Sequence, residues 1–281
     1  LSTGTSRLAS KASSVPAISP PRTWISACAS SGPPVWTFLF RPGEPKVMYL
    51  GTAPGEIYRS VDDGDSWQKL NATMGSNECN MSFPTRVIAL AADPSYPDEM
   101  YAALEVAGVI RSSDGGDTWD EITGSLAPRE DTLDLHGVQC SAATPHTVYI
   151  TTRQGPFIGP DRGREWIPVE FGQYSPITYT RDLRIAPTDP NSLYVSIGAS
   201  ARSSQGALYR SRDLFKTFER VDRGVTADAT MMAVSVDPRA PSHIYCIARD
   251  GQVFGTLDDG ATWTTHQLPD KAKELRGLAA G

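Results

Sequence analysis

Side chains that could bind an anion recur at matching positions of this chain. Counting back by one fixed interval from five repeated tyrosines brings these side chains into two layers. The first layer contains Trp36, His136, Arg181 and Arg276, and the second layer, two residues earlier, contains Arg86, Asp134, Tyr179 and Glu274. Guanidinium groups bind carboxylate or phosphate through paired hydrogen bonds, about twice as strong as neutral ones. If the segments surround one centre, these residues would form an anion site.

The two layers also contain groups that could move a proton. We expect the ligand to be bound by Arg86, Arg181, Arg276 and Trp36. The candidate catalytic residues are His136, Tyr179, Asp134, Asp182 and Glu274. In this hypothesis His136 or Tyr179 moves the proton and the carboxylates orient them, because an imidazole suits proton transfer near neutral pH. In the alternative, these residues pair with one another and line a hydrated channel.

An eight-residue pattern recurs along the chain and indicates which elements carry these residues. It reads SVDDGDSW at 60–67, SSDGGDTW at 112–119 and TLDDGATW at 256–263, with weaker copies at 159–166 and 211–218. An aspartate in a tight turn can accept backbone N–H bonds, and a following glycine tolerates positive φ. A structural role is therefore predicted for Asp62, Asp114, Asp161, Asp213 and Asp258. The spacing of an EF-hand calcium site is missing.

This S-x-D-x-G-x-T-W pattern resembles the Asp-box of BNR-repeat β-propellers. That superfamily includes sialidases, xyloglucan-cleaving hydrolases, sortilin-type receptors and a photosystem II assembly propeller. The resemblance implies blades of four strands around a central channel, with the box turns on the rim away from it. Sialidases also use an arginine cluster, but this chain lacks their Phe-Arg-Ile-Pro-type motif. Nor can two carboxylates be assigned from sequence as the acid and base of a glycosidase.

The segments before each box have the content of one blade. A β-rich run comes first, at 35–40, 86–92, 136–140, 180–185 and 231–236, and a strand starting at tyrosine follows each run. The sequence therefore predicts an all-β protein, a six-bladed β-propeller of four-stranded blades in one domain spanning 1–281. The sixth blade is predicted to combine residues of about 1–30 with 271–281, so that the two ends pair and close the ring.

Composition excludes several other classes of protein. The 24 glycines and 22 prolines leave little room for the long helices of a bundle or coiled coil. A net charge of −6 has the wrong sign for a protein that neutralises a nucleic-acid backbone. The four cysteines form no metal-ligand or redox motif, although Cys28 and Cys79 could form a disulfide in an exported protein.

The cellular location is predicted only in outline. Apolar runs are far too short to cross a bilayer, so we expect a soluble protein without membrane insertion. No signal peptide is visible, which favours the cytoplasm, although a trimmed signal would leave the same sequence.

These observations predict a propeller that binds a small anionic or sugar-derived ligand at the channel mouth, with hydrolase or lyase activity. The alternative is a non-catalytic propeller for protein interaction or assembly. A third option is metal-assisted catalysis by His136 with Asp134, but no metal or cofactor motif favours it. We therefore predict neither metal nor cofactor.

Overall fold

The computed structural model describes residues 32–75, 83–127, 130–269, 272 and 274–280. These residues form five sheets, each with four antiparallel strands joined in chain order. The predicted all-β class and the four-stranded units are therefore confirmed. The residues predicted to begin the sixth blade, 1–30, lie outside the described residues, as do Cys28 and Cys79.

The inner strands follow the predicted repeat, but each second strand begins before its repeated tyrosine, by one residue in the third and fifth sheets and by five in the others. The first sheet contains β1 (Val35–Arg41), β2 (Glu44–Thr52), β3 (Ile57–Ser60) and β4 (Gln68–Lys69). The second contains β5 (Arg86–Asp93), β6 (Tyr96–Glu105), β7 (Gly108–Ser112) and β8 (Asp120–Glu121). The third contains β9 (Leu135–Cys140), β10 (Val148–Thr152), β11 (Gly155–Gly159) and β12 (Ile167–Pro168).

The remaining sheets repeat the same order. The fourth contains β13 (Tyr179–Ala186), β14 (Asp189–Gly198), β15 (Gly206–Ser211) and β16 (Glu219–Arg220). The fifth contains β17 (Met231–Val236), β18 (Ile244–Ala248), β19 (Gln252–Thr256) and β20 (Thr264–Gln267). Short helical turns occur at Gly124–Leu126, Glu130–Leu133, Pro160–Gly163 and Phe171–Gln173. Each predicted inner strand agrees with β1, β5, β9, β13 or β17 to within one residue at either end.

Apolar side chains pack between neighbouring sheets and hold them face to face. Leu104 and Ile110 of the second sheet are fully buried in one cluster with Tyr49 and Ile57 of the first. The second sheet is covered on both faces, by clusters that it shares with the first and third sheets, which explains why β6 is apolar along its second half. The first strands of successive sheets also contact one another, so they surround a common centre.

Four of the repeated turns each contain the same set of hydrogen bonds. In the second sheet the Ser112 hydroxyl donates to Asp114 at 2.7 Å and accepts the Gly116 N–H at 2.8 Å. The backbone N–H and hydroxyl of Thr118 both donate to the Asp114 carboxylate, at 2.9 and 2.6 Å. The same bonds form at Asp62, Asp213 and Asp258. The predicted turn-forming role of these aspartates has this physical basis.

The turn at Asp161 departs from the pattern because Gly159 and Glu165 replace the two hydroxyl residues. Its carboxylate instead accepts a hydrogen bond from Arg164 at 3.4 Å. The turn keeps its attachment to the preceding hairpin, since the Arg162 N–H donates to the His146 carbonyl at 2.7 Å. Asp161 thus has other partners than the remaining four aspartates, and its structural role stays a prediction.

The turn of the fourth sheet contains backbone strain. Leu214 and Phe215 have φ angles of 54° and 75°, in the left-handed region, and the other four turns have glycine at the position of Phe215. The Phe215 ring is buried and lies 5.5 Å, centroid to centroid, from both Tyr149 and Phe218. Packing of this ring offsets the strain and explains why glycine is missing here.

The C-terminal segment lies where another inner strand would lie. Leu275 and Leu278 pack against a cluster that includes Met232 and Ala233, and the Ala280 N–H donates to the Ser235 hydroxyl at 2.9 Å. Residues 274–280 are not paired as a strand. Within the described ranges the structure therefore shows five sheets, not the six that the sequence predicted.

None of the helices within the described ranges has the length and apolar character needed to span a bilayer.

Acid should unfold the protein through the box turns and Asp134. Hydrogen bonds from Ser66, Thr118 and Thr262 are the main cause that holds the pKa of Asp62, Asp114 and Asp258 at about 2. The pKa of Asp134 is also about 2. A lowered pKa adds stability above the unfolded value, near 4, and that stability is lost as the pH falls toward 2.

We therefore expect the free energy of unfolding to fall steeply between about pH 4 and pH 2. Urea titrations across pH 2–7 would measure it. Asp114→Asn should flatten part of this slope because it removes one titrating group. An equal slope in this variant and the wild type would contradict the assignment.

Candidate functional site

The inner strands of the sheets surround a central cavity. Its volume is about 530 Å³, and its lining includes the whole first layer predicted from sequence: Trp36, Ile88, His136, Arg181, Met232 and Arg276. These side chains come together because each stands at the same height on an inner strand or, for Arg276, on the C-terminal segment. The tyrosine count therefore located one ring of residues.

A second cavity of about 630 Å³ lies at one end of the channel and is here called the mouth cavity. Six arginines line it: Arg86, Arg153, Arg181, Arg202, Arg249 and Arg276. Among the described residues, Glu105 and Asp134 are the carboxylates in its lining. Positive charge is thus in excess around this space, although the chain as a whole is acidic.

Trp36 lies between two of these arginines. The guanidinium carbon of Arg86 is 4.6 Å from the centroid of the indole ring, and that of Arg276 is 5.0 Å away. Arg86 also lies 4.0 Å from the centroid of the Phe83 ring. These cation–π contacts hold the guanidinium groups against flat apolar surfaces and fix their direction.

Glu105 joins two arginines that come from different sheets. Its carboxylate lies 2.7 Å from Arg86 Nη1 and 3.9 Å from Arg181 Nη1, and its side chain is only 8% exposed. Burial, and then the charges of Arg181, Arg249 and Arg86, lower the pKa of Arg276. The arginines therefore repel one another, and Glu105 and Glu274 compensate this repulsion only in part.

Asp134 forms a second ion pair at the mouth. Arg153 donates to its Oδ2 atom from Nε and Nη2, at 3.0 and 2.7 Å. Burial acts to raise the pKa of Asp134, but interactions with His136 and Arg153 outweigh it and bring the pKa to about 2. The other oxygen, Oδ1, is buried without a hydrogen bond in the described structure and lies 3.6 Å from His136 Nε2.

His136 and Tyr179 form a hydrogen-bonded pair between the channel and its mouth. His136 Nδ1 lies 2.7 Å from the Thr180 carbonyl, which can only accept, so Nδ1 carries a proton. When the ring is neutral, Nε2 is an acceptor, and the Tyr179 hydroxyl lies 3.2 Å from it. Burial raises the pKa of Tyr179, so its hydroxyl keeps its proton at rest.

Two candidate carboxylates are placed differently from expectation. Asp182 lines the channel, but its carboxylate accepts the N–H groups of Leu183 and Val234 at 2.9 and 3.1 Å, which ties β13 to β17. It does not orient His136, because the Thr180 carbonyl does so. Glu274 is half exposed and forms an ion pair with Arg249, 4.0 Å from Arg276 Nη2. The orienting role predicted for Asp182 is therefore corrected.

Sequence reasoning missed several residues at the mouth. Glu105, Arg153 and Arg249 each come four residues after one of the repeated tyrosines. In an antiparallel pair the end of the second strand lies beside the start of the first, as the pairing of Arg86 with Glu105 shows. Counting forward as well as back from the tyrosines would have found all three.

Two clusters have the donor spacing of a metal site. Single donor atoms of Glu105, Asp134 and His136 lie within 4.8 Å of one another, as do those of Asp93, Glu99 and His146. In the first cluster both carboxylates are bound by arginine. In the second, Arg162 and His146 bind Glu99, at 2.9 and 2.8 Å. Protein cations thus already occupy both clusters.

Comparison with solved structures defines the class of fold. The GH74 enzyme of Niastella koreensis superposes with a TM-score of 0.63 at 18% identity, over 82% of this chain and 38% of that chain. The structure of YCF48 bound to D1 peptide gives a TM-score of 0.50 at 12% identity, over 83% of this chain and 82% of that chain. The protein is a β-propeller.

Particular relatives emerge from comparison with curated proteins. The chain is 26% identical over 167 residues to an oligoxyloglucan-reducing end-specific xyloglucanase of Emericella nidulans, covering 57% of this chain and 20% of that protein. A Paenibacillus xyloglucanase is 31% identical over 115 residues, covering 37% of this chain and 11% of that protein. Xgh74A of Acetivibrio thermocellus is 26% identical over 246 residues, covering 82% of this chain and 28% of that protein. The chain thus spans 11–28% of these relatives. No protein-family model matches it.

Proposed function

We propose that the mouth cavity binds a small anionic, sugar-derived ligand. The observation that carries this proposal is the lining of six arginines against two carboxylates. An anion placed among Arg86, Arg181 and Arg276 would relieve their mutual repulsion and accept charge-assisted hydrogen bonds. A neutral ligand would leave that repulsion uncompensated.

Two observations favour a sugar as the body of the ligand. The relatives are named as xyloglucanases, which act on a glycan. Trp36 lies beside these arginines and lines the adjoining central cavity, where its indole can contact the apolar side of a sugar ring. The ligand class that combines both features is a sugar acid or a sugar phosphate.

The finer description of the fold belongs to the same proposal. We take the repeated turns to be Asp-boxes of a BNR-type ring with six blades in one domain, 1–281. The position of residues 274–280 beside β17 supports an inner strand of a further blade there. The other part predicted for that blade, 1–30, lies outside the described residues.

The alternative, a propeller for protein interaction, calls for a continuous exposed patch outside the channel. Phe38 and Phe40 lie on β1, and the other large exposed apolar residues in the described ranges belong to different sheets or their turns: Val61, Tyr96, Ile167, Tyr174 and Leu257. These residues support a protein-binding patch less strongly than the arginine cluster supports an anion site. Binding of a protein that persists in Arg181→Ala would support the alternative.

Ligand-induced thermal shifts test the proposal. The panel should contain sugar acids, sugar phosphates, inorganic phosphate and a neutral xyloglucan oligosaccharide. We expect an anionic sugar to raise the melting temperature of the wild type, with a smaller shift at high salt. The shift should be lost in Arg181→Ala and kept in Arg239→Ala, a control arginine on an exposed loop. No shift with any anion, or equal shifts in all three proteins, would remove the proposal.

A further inference from the structure

Hydrolysis by two carboxylates does not fit the mouth cavity. Single carboxylate oxygens of Glu105 and Asp134 lie within 4.8 Å of each other, which is closer than the roughly 6.5–9.5 Å between carboxyl groups that leaves room for the water of an inverting glycosidase. Both groups are also bound by arginine. With its pKa at about 2, Asp134 has no proton to give a leaving group at neutral pH.

The groups that do meet at the mouth fit another reaction. A carboxylate bound by arginines makes the C–H bond on the adjacent carbon more acidic, because the guanidinium groups stabilise the negative charge that moves onto the carboxylate. Tyr179 lines the same cavity as Arg86, Arg181 and Arg276. Its hydroxyl is backed by an imidazole nitrogen at 3.2 Å, which can accept its proton.

We propose that the mouth cavity cleaves glycosides of uronic acids by β-elimination, with Tyr179 as the residue that takes and returns the proton. This inference rests on the proposed function, since the arginines must first bind the uronate carboxylate. His136 holds the tyrosine proton during the reaction. Both oxygens of Glu105 and one of Asp134 stay with their arginines.

Every proton in the reaction is accounted for without a co-reactant. The Tyr179 hydroxyl passes its proton to His136 Nε2, and the phenolate then takes the proton from the carbon that bears the carboxylate. The C–H electron pair forms a C=C bond as the C–O bond on the next carbon breaks. The leaving oxygen takes a proton from Tyr179, and His136 returns its proton to Tyr179. The products are an unsaturated uronate and an alcohol, with no water consumed.

The Asp134 oxygen that lacks a hydrogen bond has a role in these reaction steps. Asp134 is 4% exposed, and its Oδ1 atom lies 3.6 Å from His136 Nε2, the atom that becomes protonated. A carboxylate at that distance stabilises an imidazolium. Arg153 on the other oxygen keeps Asp134 ionised and fixed. Asp134 is thus a positioning residue, and Tyr179 is the catalytic one.

The test uses the full chain and a panel of galacturonate, glucuronate and mannuronate oligosaccharides. We expect at least one to be cleaved to a product that absorbs in the ultraviolet through its new conjugated double bond. The product masses should add up to the substrate mass, without the water that hydrolysis adds. Tyr179→Phe should lower kcat about 10²–10⁴-fold while the thermal shift by the same substrate is kept. The matched control is Tyr174→Phe, which changes an exposed tyrosine on the segment before the fourth sheet. This variant should keep full activity.

Each outcome separates this inference from the proposed function. Binding of uronates without cleavage, or cleavage that adds water, would overturn the elimination and leave the anion site standing. Undiminished cleavage in Tyr179→Phe would overturn the assignment of Tyr179. His136→Gln should lower kcat and also flatten its pH profile, which a merely structural role would not do. If no uronate oligosaccharide binds, the inference fails whatever the panel of smaller anions gives.

Discussion

The Phe215→Ala variant is expected to lose about 3–5 kcal/mol of unfolding free energy. The ring is 3% exposed and packs at right angles to Tyr149 in the core between the third and fourth sheets. Its removal leaves a cavity beside the Tyr149 and Phe218 rings. Urea denaturation of the variant and the wild type measures the loss.

A second substitution at the same position tests whether the turn is strained. Glycine is ordinarily about 0.5–1 kcal/mol less stabilising than alanine. At Phe215 the φ angle is 75°, where any residue with a Cβ atom costs about 1–2 kcal/mol. We therefore expect Phe215→Gly to be more stable than Phe215→Ala by about 1 kcal/mol. The usual order, with alanine the more stable, would show that this turn stores no strain.

The Glu105→Gln variant should change stability and anion affinity in opposite directions. Loss of the carboxylate leaves Arg86 and Arg181 without their shared partner, and an uncompensated buried charge costs about 3 kcal/mol of unfolding free energy. The same loss increases the positive potential at the mouth, so an anion should bind about tenfold more tightly. Denaturation and ligand titration on one preparation measure both effects.

The matched control is Glu165→Gln, which removes the same charge from an exposed position. It should alter neither property by a measurable amount. Saturating anion should also restore much of the stability lost in Glu105→Gln, because the ligand takes the place of the carboxylate. Weaker anion binding in Glu105→Gln would mean that Glu105 contacts the ligand directly and does not compete with it.

The repeat made most of the fold predictable from sequence. The box pattern and the tyrosines set the register, and β17 begins and ends where the sequence placed it, at Met231 and Val236. The sixth sheet was not recovered because half of its prediction lay in residues 1–30 and the other half, 274–280, is unpaired. The different partners of Asp161 could have been foreseen, since the hydroxyls at 159 and 165 are missing.

The site was only half predictable because sequence spacing reports strands better than loops. Arg86, Arg181 and Arg276 line the mouth cavity, and Trp36 lines the adjoining central cavity with Arg181 and Arg276. They could be aligned from sequence because the inner strands share one register. Arg202 lies instead on the connection between β14 and β15, whose path no repeat specifies. The contacts of Asp182 were also out of reach, because they depend on the backbone of the neighbouring sheet. Sequence spacing gives no distances between residues of neighbouring blades.

The central claim is that arginines at the channel mouth bind the charged group of a sugar-derived ligand. Calorimetric titration tests it most directly, with the sugar acid that gives the largest thermal shift and the neutral sugar that differs only in lacking its carboxylate. We predict that the acid binds the wild type, that added salt weakens this binding, and that the neutral sugar binds at least tenfold more weakly. Equal affinity for both sugars would contradict the account.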